Sequence, residues 1–279
     1  MTEMDAPHLA GVIGHPIAHS KSPVLHGHWL RRYGIRGYYI PMPVAAEHLA
    51  QALQALPRLG FRGVNITIPH KEAALELANA VSDRAALIGA ANTLIFRSDG
   101  TIQADNTDGY GFLANLKQSA PHWRADAGPA VVLGAGGAAR AVVSALLGDG
   151  APEIVLANRT RARSDMLREH FGARVRVVEW TQVGSHMEGA ATLVNTTSLG
   201  MTGKPELNVK LDRLPQTALV TDIVYAPLRT ALLERAADRG NPTVDGLGML
   251  LHQAVPGFEA WFGVRPEVDD ELRAAVLEG

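Results

Sequence analysis

The residues best able to do chemistry lie in Val64-Asn65-Ile66-Thr67-Ile68-Pro69-His70-Lys71-Glu72. The run reads as a buried strand leading straight into a helix, with Pro69 suited to a first helical position. Alternation places Asn65 and Thr67 on one strand face, at the end where open α/β sheets bind ligands. Lys71, flanked by Ile66, Ile68 and Pro69, has two readings. It is a partly desolvated acid or base, or a surface lysine whose stem snorkels over apolar neighbours at the start of a helix. Taken alone, the segment favours the second.

A second chemistry lies in Val131-Val132-Leu133-Gly134-Ala135-Gly136-Gly137-Ala138-Ala139-Arg140. A G-x-G-x-x-A pattern between an apolar strand and an apolar helix is a dinucleotide-binding signature. Gly134 makes the tight turn, Gly136 lets the backbone approach a pyrophosphate, and Ala139 permits close helix–strand packing. The alternative is a glycine-rich turn that binds nothing. About 20 residues downstream, an NAD site carries an acid for the ribose 2′-hydroxyl. Here the chain reads Asn158-Arg159-Thr160, with Arg163 a helical turn beyond. Missing a carboxylate and supplying two guanidinium forks, this pattern favours NADP(H), the 2′-phosphorylated cofactor, over NAD. Two arginines decorating a surface loop are the alternative.

Other polar residues fall at expected strand ends and helix starts. In His19-Ser20-Lys21-Ser22-Pro23, Ser22 is suited to an N-cap, and the hydroxyls of Ser20 and Ser22 also make a carboxylate seat. Asn92 is a turn residue or a ligand. Asp108 is an N-cap or a catalytic carboxylate. His15, His19, His26 and His28 match no zinc spacing and lack an accompanying carboxylate cluster, so they read as polar loop and helix residues, with no metal site.

These residues need elements to hold them. Strands are expected at Leu9 to Gly14 and Gly37 to Val44, with helices at Pro23 to Tyr33, Ala45 to Leu56 and Pro69 to Ala80. Asn92 to Arg97 and Thr101 to Asn106 flank Ser98-Asp99-Gly100, a hairpin signal. The expected first domain is therefore a mostly parallel mixed α/β sheet. After a linker-like stretch from Pro121 to Pro129, regular βαβ units follow. Their strands are expected at Ala130 to Leu133, Glu153 to Ala157, Arg174 to Val178, Thr192 to Thr196, Ala218 to Val224 and Pro242 to Val244. Helices are expected at Ala138 to Leu147, Arg161 to Phe171 and Leu228 to Arg239. This is a Rossmann-type doubly wound pattern. The tail, Gly246 to Phe262 and Glu267 to Glu278, reads as helical.

Composition narrows the classes. A 279-residue chain with 47% hydrophobic and 19% charged residues suits two globular domains. Its net charge of −2 argues against nucleic-acid or membrane-surface partners. The absence of cysteine excludes disulfides, thiolate catalysis and cysteine-ligated metals. Met1-Thr2-Glu3-Met4-Asp5 shows no signal-peptide pattern, and no apolar run approaches ~18 residues. A cytoplasmic protein is expected.

The motifs form an ordered set: Gly11 to Pro23, Val64 to Glu72, Gly89-Ala90-Ala91-Asn92-Thr93-Leu94, Asn106-Thr107-Asp108-Gly109 and the Gly134 loop. Asn158-Arg159-Thr160, Val194 to Met201, Asp222 to Pro227 and Gly246 to Gln253 continue it. Nearly end to end, the chain resembles the shikimate/quinate dehydrogenase family. The resemblance implies an NADP-dependent oxidoreductase of aromatic amino-acid and chorismate biosynthesis that reversibly reduces 3-dehydroshikimate to shikimate. It implies that Lys71 is the general acid/base, assisted by Asp108. The substrate carboxylate would meet Ser20, Ser22 and Tyr225; its hydroxyls would meet Asn65, Thr67, Asn92, Asp108 and Gln253. The cofactor would meet Gly134, Ala135, Gly136, Gly137, Ala138, Asn158, Arg159, Thr160 and Arg163, with Thr196, Thr197, Ser198, Ile223 and Gly246 towards its nicotinamide. Residues 1–110 with 246–279 would form the substrate domain and 111–245 the NADP domain, with the site in a cleft between them. Partners would be small molecules alone, and the chain a monomer or homodimer. A dual quinate/shikimate enzyme preferring NAD and a catalytically silent NADP-binding sensor are the alternatives.

Overall fold

The computed structural model describes residues 6–279; Met1 to Asp5, expected to carry no leader pattern, lie outside the described residues. Two compact units form. One comprises the chain up to Thr107 with Leu251–Gly279, the other Asp108–Leu250.

The first unit contains β1 (His8–Gly14), α1 (Ser22–Arg32), β2 (Gly37–Pro43), α2 (Leu49–Ala55), β3 (Phe61–Ile66) and α3 (Lys71–Glu76). Then come β4 (Ala80–Val81), α4 (Asp83–Ile88), β5 (Thr93–Phe96) and β6 (Ile102–Asp105). The sheet order is β2-β1-β3-β5-β6-β4. β5 alone is reversed, antiparallel to both β3 and β6; the remaining neighbours are parallel. One apolar core joins Ile13, Val64, Ile66 and Leu94 to Leu49, Leu53 and Ala74. A second is aromatic and joins His26 and Trp29 to Tyr39, Phe258 and Trp261. Gly63 is required there: a Cβ would stand 2.0 Å from the Trp261 indole nitrogen, which donates to Leu94 O across β3 at 3.1 Å.

The second unit contains α5 (Asp108–Ser119), β7 (Ala130–Leu133), α6 (Gly137–Gly148), β8 (Ile154–Ala157), α7 (Arg161–Phe171) and β9 (Val175–Val178). β10 (Thr192–Asn195), β11 (Leu219–Asp222), α8 (Ala231–Asp238) and β12 (Thr243–Val244) complete the sheet unit. Its strands are parallel, in the order β12-β11-β10-β7-β8-β9. The order reverses between β7 and β10, which is the doubly wound arrangement with its ligand crevice at the switch point. β7, β8 and β10 are buried at every position, as strands covered on both faces must be. α9 (Leu247–Phe262) and α10 (Asp270–Glu278) end the chain. Among the described residues no helix is long and apolar enough to cross a membrane.

Three local expectations need correction. Pro69 does not open a helix: His70 N bonds Thr67 O at 2.9 Å, so a turn intervenes and α3 begins at Lys71. That helix stops well before Ala80, because Asn79 N turns to Ile102 O and Ala80–Val81 pair with β6. The Pro121 to Pro129 stretch is no linker between units, since Ala125 is buried and Trp123 donates to Thr192 Oγ1 at 2.9 Å. By contact, the compact units divide at Thr107/Asp108 and Leu250/Leu251. Gly109 lies where a Cβ would be 3.0 Å from Ala141 O on α6, and Met249 joins the second unit's core.

Candidate active site

In the first unit, the polar residues converge on one end of the sheet. The C-terminal ends of β1 and β3 and the start of antiparallel β5 lie there together. Asn65, opposite Thr93 in register, is held by three residues. It accepts from Tyr39 Oη at 2.6 Å, and its Nδ2 donates to Asn92 O at 3.1 Å and Thr93 Oγ1 at 3.2 Å. Asn92 Oδ1 takes Thr107 N at 2.9 Å, Thr107 Oγ1 at 3.1 Å and Thr93 Oγ1 at 3.0 Å. That oxygen is saturated by these three donors. Thr67 leaves β3 with its N–H on Ile13 O at 2.9 Å.

Ser22 is not the cap of α1; it is the first helical residue, and Ser20 Oγ accepts its N–H at 3.3 Å. Ser20 therefore organises this helix start, leaving two half-buried hydroxyls close together in sequence. Lys71 opens α3, and its carbonyl accepts Ala91 N at 2.8 Å, which seats it beside Asn92. Lys71 is half-buried, yet Ile68 is 68% exposed and Pro69 also faces out. The two flanking residues expected to desolvate the lysine therefore do not.

The early histidines also depart from expectation. His15 and His19 are exposed, but His26 is fully buried and stacked on Tyr39 at 3.9 Å. It is a core ring, not a polar helix residue. Among the described residues no group of histidines and carboxylates is arranged to hold a metal ion.

In the second unit, Gly134 has φ +110°, and a Cβ would meet Thr196 Oγ1 at 2.6 Å. Gly134 N bonds Ala157 O at 2.8 Å, and Thr196 donates through N and Oγ1 to Leu133 O. The Thr196 hydroxyl thus braces the glycine turn. Beyond it, Gly136 and Gly137 have open space where a Cβ would stand, at the N-terminus of the long helix α6. This is the room and polarity that a pyrophosphate needs. β8 ends at Ala157, and Asn158, whose Nδ2 donates to Thr160 O at 2.9 Å, stands in place of an acid. Arg161 is committed to Glu179 and Asp165. Among the described residues, exposed Arg159 and Arg163 carry no ion pair, and both guanidinium groups remain available to a 2′-phosphate. The residues present fit NADP(H) on these grounds.

A buried network that sequence reasoning missed holds the 195–199 turn. Asn195 Nδ2 donates to Asp222 Oδ1 at 2.9 Å, while Asn195 Oδ1 accepts Thr197 N and Oγ1. Thr230 Oγ1 donates to Asp222 Oδ2 at 2.8 Å. Burial raises the Asp222 carboxyl to about 6, against the pull of these donors. The available signal was that Asn195 and Asp222 both end apolar strands and are register partners. Tyr39, Thr93 and Thr107 were likewise unforeseen, because alternation alone does not reveal a buried hydroxyl's partner.

Ser198 faces outward in the same turn, whereas Thr197 is part-buried. Gly246 packs on Ile223, where a Cβ would be 2.4 Å from its carbonyl oxygen. Asp108, buried at the start of α5, and part-exposed Tyr225 belong to the second unit, half-buried Gln253 to the first.

A doubly wound sheet with an open glycine loop and no acid after β8, joined in one chain to a mixed sheet bearing hydroxyls, amides and a lysine, defines a dehydrogenase-like α/β protein. Family models described as the shikimate dehydrogenase substrate binding domain, shikimate/quinate 5-dehydrogenase and the shikimate 5′-dehydrogenase C-terminal domain match residues 12–94, 116–223 and 246–276. The chain belongs to the shikimate dehydrogenase family. It is 67% identical over 277 residues to a shikimate dehydrogenase (NADP(+)) of Cereibacter sphaeroides, covering 99% of each chain. It is 64% identical over 276 residues to that of Paracoccus denitrificans, covering 99% of this chain and 98% of the other. Among solved structures, the shikimate 5-dehydrogenase of Thermus thermophilus in complex with NADP(H) and shikimate has a TM-score of 0.87 at 37% identity, covering 97% and 99%. A quinate dehydrogenase of Corynebacterium glutamicum with NAD has 0.89 at 31%, covering 98% and 99%.

Proposed function

We propose that the protein reversibly reduces 3-dehydroshikimate to shikimate with NADP(H), as a cytoplasmic step of aromatic amino-acid biosynthesis. The observation that carries this reading is the first unit's polar seat: Ser20, Ser22, Asn65 and Asn92 gathered with Lys71 at one sheet end. Hydroxyls and amides suit a polyol because each can donate or accept. A seat built for hydroxyls rejects analogues that leave its polar groups unpaired.

In this reading the Ser20 and Ser22 hydroxyls, joined by Tyr225, bind the substrate carboxylate. Asn65, Thr67, Asn92 and Gln253 bind the ring hydroxyls. Lys71 donates a proton to the carbonyl oxygen during reduction and removes it from the hydroxyl in the reverse direction. Asp108, buried at the start of α5, is the assisting carboxylate. Bound NADPH supplies the hydride. Gly134 to Ala138 hold its pyrophosphate, Asn158 to Thr160 with Arg163 its 2′-phosphate, and Thr196 to Ser198, Ile223 and Gly246 its nicotinamide end. The deciding measurement is NADPH oxidation by the purified protein with 3-dehydroshikimate. Lack of substrate-dependent oxidation refutes the reading.

The Corynebacterium glutamicum likeness raises quinate oxidation with NAD as a second reading. Shikimate with NADP should exceed quinate with NAD in kcat/KM, and the reverse order would replace the first reading with the second. Arg159→Ala should raise the KM for NADP by about 10–100-fold, the worth of a charged hydrogen bond, and leave that for NAD unchanged. Equal effects on both cofactors would remove Arg159 from the 2′-phosphate.

A further inference from the structure

We propose that Tyr39 is a positioning residue for substrate binding, its buried hydroxyl fixing the Asn65 amide in the orientation that meets the ligand. The inference rests on the reading of this sheet end as a shikimate seat. Alternation on β2 sends Tyr38 outward, 61% exposed, and Tyr39 inward, 7% exposed. The Tyr39 ring lies flat on His26, with 3.9 Å between centroids and 5° between planes, and Trp261 stands 6.2 Å away. This packing leaves the phenol little freedom except rotation of its O–H. The Tyr39 hydroxyl donates to Asn65 Oδ1 at 2.6 Å.

Asn65 then has a defined polarity. Both Nδ2 hydrogens are spent, on Asn92 O and Thr93 Oγ1. Its oxygen retains one acceptor position beyond the Tyr39 bond. Asn65 therefore meets a ligand as an acceptor, and the hydroxyl it receives must donate. Tyr39 touches no ligand in this account and acts through Asn65. Removing its hydroxyl withdraws one of the three bonds that fix the amide and the charge polarisation that strengthens the chain of bonds.

A kinetic double-mutant cycle tests this: wild type, Tyr39→Phe, Asn65→Ala and the double variant, each assayed with shikimate and NADP. Tyr39→Phe keeps the ring stacked on His26. It should raise the shikimate KM about tenfold, the scale of one hydrogen bond, with kcat within about twofold and the NADP KM unchanged. In the Asn65→Ala background the same change should raise the shikimate KM by less than about threefold. An equal factor in both backgrounds, an unaltered shikimate KM, or a matching rise for NADP overturns the inference while leaving the function standing. Failure of wild type to turn over shikimate refutes both. If Tyr39→Phe does not fold, NMR on the wild type decides. Slowly exchanging, rigid Asn65 side-chain amide protons support the inference, and rapidly rotating ones overturn it.

Discussion

Lys71→Ala is expected to lower kcat by about 10²–10⁴-fold, the usual contribution of a positioned general acid or base, with the shikimate KM changed by less than about threefold. The structure seats Lys71 at the first position of α3, held to β5's approach by the Ala91 N–H on its carbonyl. The residue is half-buried next to an array of amides and hydroxyls. In the proposed reaction the group must hold a proton for reduction and lose one for oxidation. An ammonium can do both, whereas a guanidinium stays protonated. Lys71→Arg should therefore fail like Lys71→Ala in the oxidative direction although it keeps the charge. Full kcat in Lys71→Ala with only a raised KM would move the residue to binding. Recovery of shikimate oxidation by Lys71→Arg would make its role electrostatic.

The second large effect concerns stability. His26 is fully buried among aromatic rings, and neither ring nitrogen has a hydrogen-bond partner within bonding geometry. Desolvation lowers its pKa to about 3, against a weaker opposing pull from Asn65. The unfolded chain protonates this imidazole below pH 6.5, while the folded chain keeps it neutral. Because the unfolded state then binds more protons, stability falls as pH drops. The contribution is complete above about pH 6.5 and is lost progressively towards pH 3. The whole span is worth about 4–5 kcal/mol, and the part between pH 7 and 4.5 about 2–3 kcal/mol. That is a sizeable share of a typical domain's stability of roughly 5–15 kcal/mol. Half-buried His252, lowered to about 4 by burial, adds in the same direction. Asp222 runs oppositely: its raised carboxyl stays protonated in the folded state to a higher pH, so its term weakens stability as pH rises from about 3.8 to 6. Urea unfolding at both pH values should show the loss in wild type and a difference smaller by about 2–3 kcal/mol in His26→Phe. The same loss in both proteins would mean that His26 is already protonated in the folded state or reaches solvent.

The second unit was largely legible in the sequence because its signals are local. β7 and α7 occupy the expected residues, Ala130–Leu133 and Arg161–Phe171. Buried parallel strands are short apolar runs, and the turn after β7 needs a residue at φ +110°, which Gly134 supplies. The first unit was less legible where pairing is distant. Nothing near Ala80 announces that Ala80–Val81 will join β6, because the partners are Gln103 and Ala104, far along the chain. The histidines show the same limit. His15 and His26 are the same residue type near the same terminus, yet one is exposed and the other sits among Tyr39, Phe258 and Trp261. Two of those three rings come from α9, near the opposite end of the chain.

By itself the sequence determined the chemical inventory: a lysine after a strand, amides and hydroxyls at neighbouring strand ends, and a glycine loop without the acid that NAD requires. It also determined the doubly wound order of helices and strands, since apolar periodicity and turn residues act over a few positions. Only the tertiary structure decided how that inventory is wired. It committed the Asn92 oxygen to Thr93 and Thr107, turned the Asn65 oxygen to Tyr39, and made Ser20 rather than Ser22 accept at the start of α1. It also decided that Arg161 is paired while Arg159 and Arg163 carry no ion pair among the described residues. The physical reason is that a side chain's donors and acceptors are finite. Which of them remain for a ligand depends on neighbours brought from distant parts of the chain.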